Sequence, residues 1–408
     1  MHNLSVEQQG GSPLARVLPL FPSTPFPATE PQLIGQTPGL LSDSPAPSPY
    51  SKLYNDLIDS GTKALLNGLA SYARERREAV SKLRGRITVR RAALTSDGPA
   101  KGKVVGVDAG RNGTSYKFAY VPIYGAVAVL VENYVVREEP LCISGAPDIW
   151  PVEADPERRE SLLHMALEYR IARQAVELWR PDFVLLDGGI ILNPRLQPRL
   201  QDSGGYEGDF FSACTNALDL LAACKDRGVT LAGFIKRTKM NHYGRMLEVP
   251  NLRDAVLLNP LLERGAYTDP FQMSNKVTAA YRRLAEDLGY SPEMVEVQSC
   301  YLKTALAPFR VEVPRFCLPK VEELMSVLCA AADSEGIPYA IHEADRLARI
   351  TRPTSNIHSL VLFSRALDLV RTGEITSEDL DILSLEHGQE WALEQEALGE
   401  RLMEADTP

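Results

Sequence analysis

The sequence predicts an α/β protein built around a mixed β-sheet flanked by helices, and three observations carry that prediction. Two apolar runs of strand length, Lys103-Val104-Val105-Gly106-Val107-Asp108 and Phe183-Val184-Leu185-Leu186-Asp187, end alike, in an aspartate followed by small residues. A long stretch of helical spacing, Glu157 to Trp179, lies between them. Strands that first follow one another and then alternate with helices describe a sheet with antiparallel and parallel neighbours.

Taken in order, the chain opens on a segment too rich in Pro, Ser and Thr to bury a core, as in Pro22-Ser23-Thr24-Pro25 and Ser44-Pro45-Ala46-Pro47-Ser48-Pro49. Residues 1–50 read as a disordered arm. From Lys52 to Leu83 the residues Leu53, Leu57, Leu65, Leu66, Leu69 and Tyr72 recur at helical spacing, which predicts one or two amphipathic helices. Arg74, Arg76, Arg77, Lys82, Arg84, Arg86, Arg90 and Arg91 follow. Such a run fits a solvated helix face or a surface that tracks phosphates. The strand ending at Asp108 is followed by Tyr116 to Ile123 and Ala126 to Tyr134, with Tyr124-Gly125 in turn position, so a three-stranded meander is expected. After the long helix and the Asp187 strand come a helix near Phe210 to Lys225 and a fifth strand, Val229 to Ile235. Beyond them, Ser274 to Leu288 reads as helix, Val295 to Ala305 and Arg310 to Val313 as strands, and Val321 to Ala332, Ile341 to Ile350 and Ile357 to Val370 as helices. The expected domains are the arm (1–50), a basic helical segment (51–100), an α/β domain (101–372) and a Glu/Leu-rich tail (373–408).

With 408 residues the chain is long enough for a large core, and no stretch approaches twenty uninterrupted apolar residues. Met1 to Leu20 lacks the order of a secretory signal, so no membrane contact and a cytoplasmic location are expected. A net charge of −9 argues against a protein that coats nucleic acid through its global charge, and leaves room for a local basic channel leading to acidic ligands. The six cysteines are scattered without a C-x-x-C pair, as expected of buried thiols. There is no G-x-x-x-x-G-K-[ST] loop, so ATP hydrolysis is expected of a partner.

An aspartate at the carboxyl end of a buried strand sits in a crevice on rigid backbone, which suits a ligand for a hard cation; it also suits a simple turn or helix cap. Two such strands separated by a meander and a helix point to two carboxylates delivered to one place. On the intervening helix Glu160, His164 and Glu168 are spaced by four and share a face, so any of them could lean toward that place or line a solvated stripe. Lys236 at the end of the fifth strand would present a cation at the same edge, and Arg237 and Lys239 would extend the positive patch toward a phosphate backbone. Tyr301, on a late strand, suits either stacking on a base or a place in the core.

Val105-Gly106-Val107-Asp108 and Leu185-Leu186-Asp187-Gly188-Gly189 resemble the two aspartate motifs of the NurA nucleases. The resemblance extends through Glu168, Gly233-Phe234-Ile235-Lys236-Arg237-Thr238 and Pro338-Tyr339 to Ala344-Asp345 and Ala348-Arg349-Ile350. It implies an RNase H-like core and metal-dependent cleavage of single-stranded DNA and duplex ends, including 5′–3′ exonuclease action in DNA end resection. It also implies Mn²⁺ or Mg²⁺, one or two ions, a homodimer, and a HerA-type hexameric ATPase as partner. The implied ligands are Asp108, Glu168, Asp187 and Asp345. Where many members carry histidine, this chain has Asp345, with His342 three residues earlier as the alternative ligand. Asp-Ala-Gly replaces the usual Asp-Gly-Ser at the first motif, and Asp-Gly-Gly-Ile stands where a Ser-Leu pair is more usual at the second. A non-catalytic adaptor or DNA-end clamp on a translocase is the rival reading, separable by assaying cleavage of a labelled oligonucleotide.

Overall fold

The computed structural model describes residues 49–93, 102–150, 155–272 and 276–384. Most of the Pro-rich arm and the tail beyond residue 384 lie outside them. The chain divides into two compact units, Met1–Leu66 and Asn67–Pro408. The described residues of the first are helical: Pro49–Asn55, a π-helical turn Asp56–Gly61, and the opening of the helix Thr62–Arg84.

In the second unit the sheet runs, edge to edge, Val89–Arg91, Ala266–Thr268, Val297–Lys303, Pro308–Pro314, Thr230–Ile235, Phe183–Leu186, Lys103–Arg111, Tyr124–Glu132 and Val135–Val136. Lys103–Arg111, Phe183–Leu186 and Thr230–Ile235 are mutually parallel and the other neighbours antiparallel. Parallel neighbours need a crossover, and the helix Gly204–Arg227 supplies one between Phe183–Leu186 and Thr230–Ile235. Leu141–Ser144 adds a further strand beside Tyr124–Glu132. Numbered along the chain, the five central positions read fifth, fourth, first, second, third. This is the mixed RNase H-like sheet that the resemblance implied.

Local chemistry fixes the ends of the helices. The Asp155 carboxylate accepts from the Arg158 backbone N–H at 3.1 Å and Pro156 opens the helix Pro156–Trp179, which sets its start. Gly228, at φ +67°, ends Gly204–Arg227 in the left-handed conformation that glycine adopts without strain. These two helices pack on each other, and the first also packs on Lys103–Arg111 and Tyr124–Glu132. Val104, Val105, Val107, Val184, Leu185, Leu186, Leu231 and Phe234 form the strand side of the main core. Each such side chain, removed from water, contributes about 1.5–3 kcal/mol.

The expected three-stranded meander is corrected in its middle. Tyr116 to Ile123 supplies only Tyr120–Val121, which pairs with Thr114–Ser115 in a separate two-stranded sheet. Lys103–Arg111 therefore pairs directly with Tyr124–Glu132, and Gly125 lies within that ladder rather than in a turn. The segment is apolar for another reason: the Tyr120 ring stacks on Trp150 at 5.6 Å, and its hydroxyl donates to Glu160 at 2.9 Å.

A second core gathers where Ala79, Val80 and Leu83 of the Thr62–Arg84 helix meet Tyr243, Leu252, Leu257, Leu258 and Tyr301. Buried Asp254 organises it. Its carboxylate accepts from the N–H groups of His242 (2.9 Å) and Tyr243 (2.8 Å) and from the Tyr301 hydroxyl (2.9 Å). Asp254→Ala would leave those donors buried without acceptors, so we expect a loss of about 3 kcal/mol, read as a lower denaturation midpoint at unchanged slope.

Earlier on Thr62–Arg84, Leu65, Leu66, Leu69 and Tyr72 stay exposed. Much of the basic run that follows is already partnered: Arg76 donates to the Val256 carbonyl, Arg90 pairs with Asp269 and Glu322, and Arg91 with Glu263. Of the cysteines, Cys214, Cys224, Cys300 and Cys317 are buried as expected, while Cys142 is exposed and Cys329 lies between. Among the described residues no helix is long and apolar enough to cross a membrane.

Candidate metal centre

The register of the two parallel strands brings the aspartates together. Val107 pairs with Leu186, and the Asp187 N–H donates to the Val107 carbonyl at 2.9 Å, so Asp108 and Asp187 leave neighbouring strand ends at the same level. Asp345 arrives from a different direction, on the helix Tyr339–Ala348. Its approach depends on two glycines. Successive residues of a strand point to opposite faces, so Gly106, Asp108 and Gly110 share one face. A Cβ on Gly106 would fall 2.0 Å from the Ala340 carbonyl oxygen, and one on Gly110 would fall 1.8 Å from that of Ala348. Bare backbone at both places lets the helix lie flat across the strand with Ala340, Ala344 and Ala348 buried, bringing the helix that bears Asp345 over Asp108.

Asp108, Asp187 and Asp345 then offer one carboxylate oxygen each, all within 4.8 Å of one another. Lys236 lies among them, its Nζ 2.5 Å from Asp187 Oδ2 and 3.5 Å from Asp345 Oδ2. Arg349 Nη2 stands 3.7 Å from the same Asp345 oxygen. Asp108 Oδ1 accepts from the Ala109 N–H at 2.8 Å. Burial, and then repulsion from Asp187 and Asp345, push the Asp108 carboxyl up to about 8 against the relief from that N–H and from Lys236. Burial also raises Asp187, although Lys236 pulls against it. For Lys236 burial favours the neutral amine, but the hydrogen bond and attraction of Asp187, with Asp345 and Asp108, outweigh it and hold the ammonium above its usual range.

Glu168, on the helix Pro156–Trp179, lies near enough to Asp108 and Asp187 to feel their charge. Burial first, and then Asp108 and Asp187, hold its carboxyl well above the usual carboxylate range, and its Oε1 has no hydrogen-bond partner. Such an oxygen beside two aspartates is costly unless something positive meets it. Its stacked neighbours are committed elsewhere. Glu160 accepts from the Ile123 N–H at 2.8 Å and from Tyr120, and pairs with Arg111 at 3.3 Å, while burial pushes the His164 imidazole down to about 4.

The structure does not bring every sequence candidate to this centre. His342, three residues from Asp345, turns away to Asp333 at 2.9 Å. Tyr301 is fully buried in the second core, with Phe271 stacked against it and its hydroxyl on Asp254, so its ring presents no face for a base. Arg237 and Lys239 are exposed beyond Lys236. Sequence reasoning had not weighed Gly106 and Gly110 as a landing strip for a helix. The signal was present in glycines two residues on either side of Asp108, facing alanines spaced by four.

The model of the NurA domain matches residues 102–350, more than half of the chain. The chain belongs to the NurA family. Its fold is similar to that of the crystallised NurA nuclease from Sulfolobus solfataricus, at 16% identity and a TM-score of 0.58, over 78% of this chain and 97% of that one. A NurA structure bound to dAMP and manganese is also similar, at 11% identity and a TM-score of 0.49, over 73% of this chain and 94% of that one. No curated protein matches the chain. The matched span of the NurA domain contains the three clustered aspartates, Glu168 and Lys236.

Proposed function

We propose that this NurA-family chain is a divalent-metal-dependent deoxyribonuclease, with Asp108, Asp187, Asp345 and Glu168 as its metal ligands. The observation that carries the reading is the convergence of three half-buried aspartates within 4.8 Å of one another, beside a fully buried glutamate whose Oε1 has no hydrogen-bond partner. The donor set is all oxygen, which fits hard cations such as Mn²⁺ or Mg²⁺ better than zinc. Bound there, such an ion would acidify a water and polarise a phosphodiester.

The chain's own groups do the rest. The carboxyls raised by burial must lose their protons to accept the ion, and the raised ammonium of Lys236 is then free to meet the charge that grows on the scissile phosphate. Arg237 and Lys239, exposed just beyond, offer contacts to the flanking backbone that carry affinity without sequence preference. The finer readings belong to the same proposal: action on single strands and duplex ends with 5′–3′ polarity, manganese as the preferred metal, one or two ions, a homodimer, and work beside a HerA-type ATPase in end resection. Ile357, Leu360 and Val361, exposed on the helix Arg352–Thr372, offer protein partners an apolar surface.

Purified full-length protein is expected to cleave a labelled oligonucleotide with Mn²⁺ or Mg²⁺ and to stop on addition of a chelator. Because burial raises Asp108, Asp187 and Glu168, ion binding expels at least one proton at neutral pH, so the affinity for Mn²⁺ should rise at least about tenfold per pH unit up to about 8. Absence of cleavage with every divalent ion across that range would refute the nuclease reading.

A further inference from the structure

A further carboxylate, outside the cluster of Asp108, Asp187 and Asp345, touches the turn that follows Asp187. Glu312, on the strand Pro308–Pro314, is fully buried beneath the turn that follows Asp187. Its Oε2 accepts from the Ile190 N–H at 2.9 Å, and its Oε1 pairs with Arg310 Nη2 at 3.0 Å. The turn is shaped to admit it: a Cβ on Gly189 would fall 3.1 Å from that Oε2. Two other contacts hold the same turn. The Tyr169 hydroxyl donates to the Gly189 carbonyl at 3.3 Å, and the bare backbone of Gly233 lets the Gly188 carbonyl settle onto the neighbouring strand, where a Cβ would stand only 2.5 Å away.

A buried ion pair is a poor device for stability, since an apolar residue of similar volume often serves as well or better. It is a good device for holding one backbone amide at one place, because only an acceptor of the right reach satisfies that amide. We propose that Glu312, backed by Arg310, is a positioning residue: by gripping the Ile190 N–H it sets the turn that aims the Asp187 carboxylate at the ion. The inference rests on the metal-site reading above. It assigns a role in metal affinity to a residue that never touches the metal.

Two conservative variants separate reach from charge. Glu312→Gln keeps an acceptor at full reach and removes the charge, whereas Glu312→Asp keeps the charge for Arg310 and withdraws the acceptor from Ile190. Mn²⁺ binding to the DNA-free, full-length protein is measured by titration calorimetry, with the melting temperature recorded alongside. Glu312→Asp is expected to weaken Mn²⁺ binding about 10- to 100-fold, as loss of an orienting partner does, and Glu312→Gln to stay within a few-fold of wild type. Wild-type affinity in Glu312→Asp overturns the proposal even if that variant melts earlier, because a purely structural residue moves only the melt. Equal losses in both variants overturn it as well, since charge rather than reach would then matter. If wild type binds Mn²⁺ but does not cut DNA, the nuclease reading fails while the positioning role is still decided by the titration. If wild type binds no divalent ion, both fall.

Discussion

Asp108→Asn is expected to abolish metal-dependent cleavage and, in the metal-free protein, to raise the melting temperature by a few degrees. The two effects have one cause. Asp108 is held near Asp187 and Asp345 in a half-buried site, and that environment lifts its pKa to about 8. An unfolded chain would ionise the same group near 3.9. Between those values the folded state binds the extra proton, so metal-free stability falls as pH rises from about 4 to about 8. Asparagine keeps the shape without the charge, and its advantage over wild type should therefore be small near pH 4 and largest above pH 8. Saturating Mn²⁺ should reverse the order, because the ion stabilises only the protein that binds it. Melting curves at three pH values, with and without Mn²⁺, check each sign. A variant that melts below wild type at pH 8.5 without metal would show that the carboxylates are not in mutual repulsion.

Gly110→Ala is expected to damage the fold and the centre together. The added methyl carbon would lie 1.8 Å from the Ala348 carbonyl oxygen, and the corresponding carbon in Gly106→Ala would lie 2.0 Å from that of Ala340. Both obstacles are backbone, so no side-chain rotation relieves them, and the helix Tyr339–Ala348 must lift off the strand. Overpacking of this kind costs about 1–3 kcal/mol and would carry Asp345 away from Asp108. Thermal melts and Mn²⁺ titrations should both deteriorate. Gly68→Ala is the control: it lies on the helix Thr62–Arg84 with no neighbour within 4 Å, and should gain up to about 1 kcal/mol from helix propensity alone. A Gly110→Ala protein with wild-type melting and metal binding would refute the flat-packed helix.

Much of this was legible from residues alone, for definite reasons. The Asp108 and Asp187 strands are buried on both faces and read as unbroken apolar runs, and the helix Pro156–Trp179 announces itself by its length and its Asp155-Pro156 start. The middle of the supposed meander misled because Tyr120 and Val121 are buried by a local hairpin against Trp150, and burial alone mimics a sheet strand. Tyr301 could not be placed in advance, since an aromatic on an apolar strand fits a core and a stacking platform equally. Only the contact with Asp254 decides between them. Asp345 and His342 sit on one helix, and their spacing could not say which would turn inward. Packing against Gly106 and Gly110 fixes the helix rotation, and with it which of the two side chains faces Asp108 and Asp187.

The helix Tyr339–Ala348 follows every strand of the sheet in the chain, yet it carries one of the clustered carboxylates and covers the strand that bears another. A nascent chain that has made both aspartate strands but not yet this helix has an unfinished centre. A chain cut short before Tyr339 therefore lacks both Asp345 and the helix that covers the Asp108 strand.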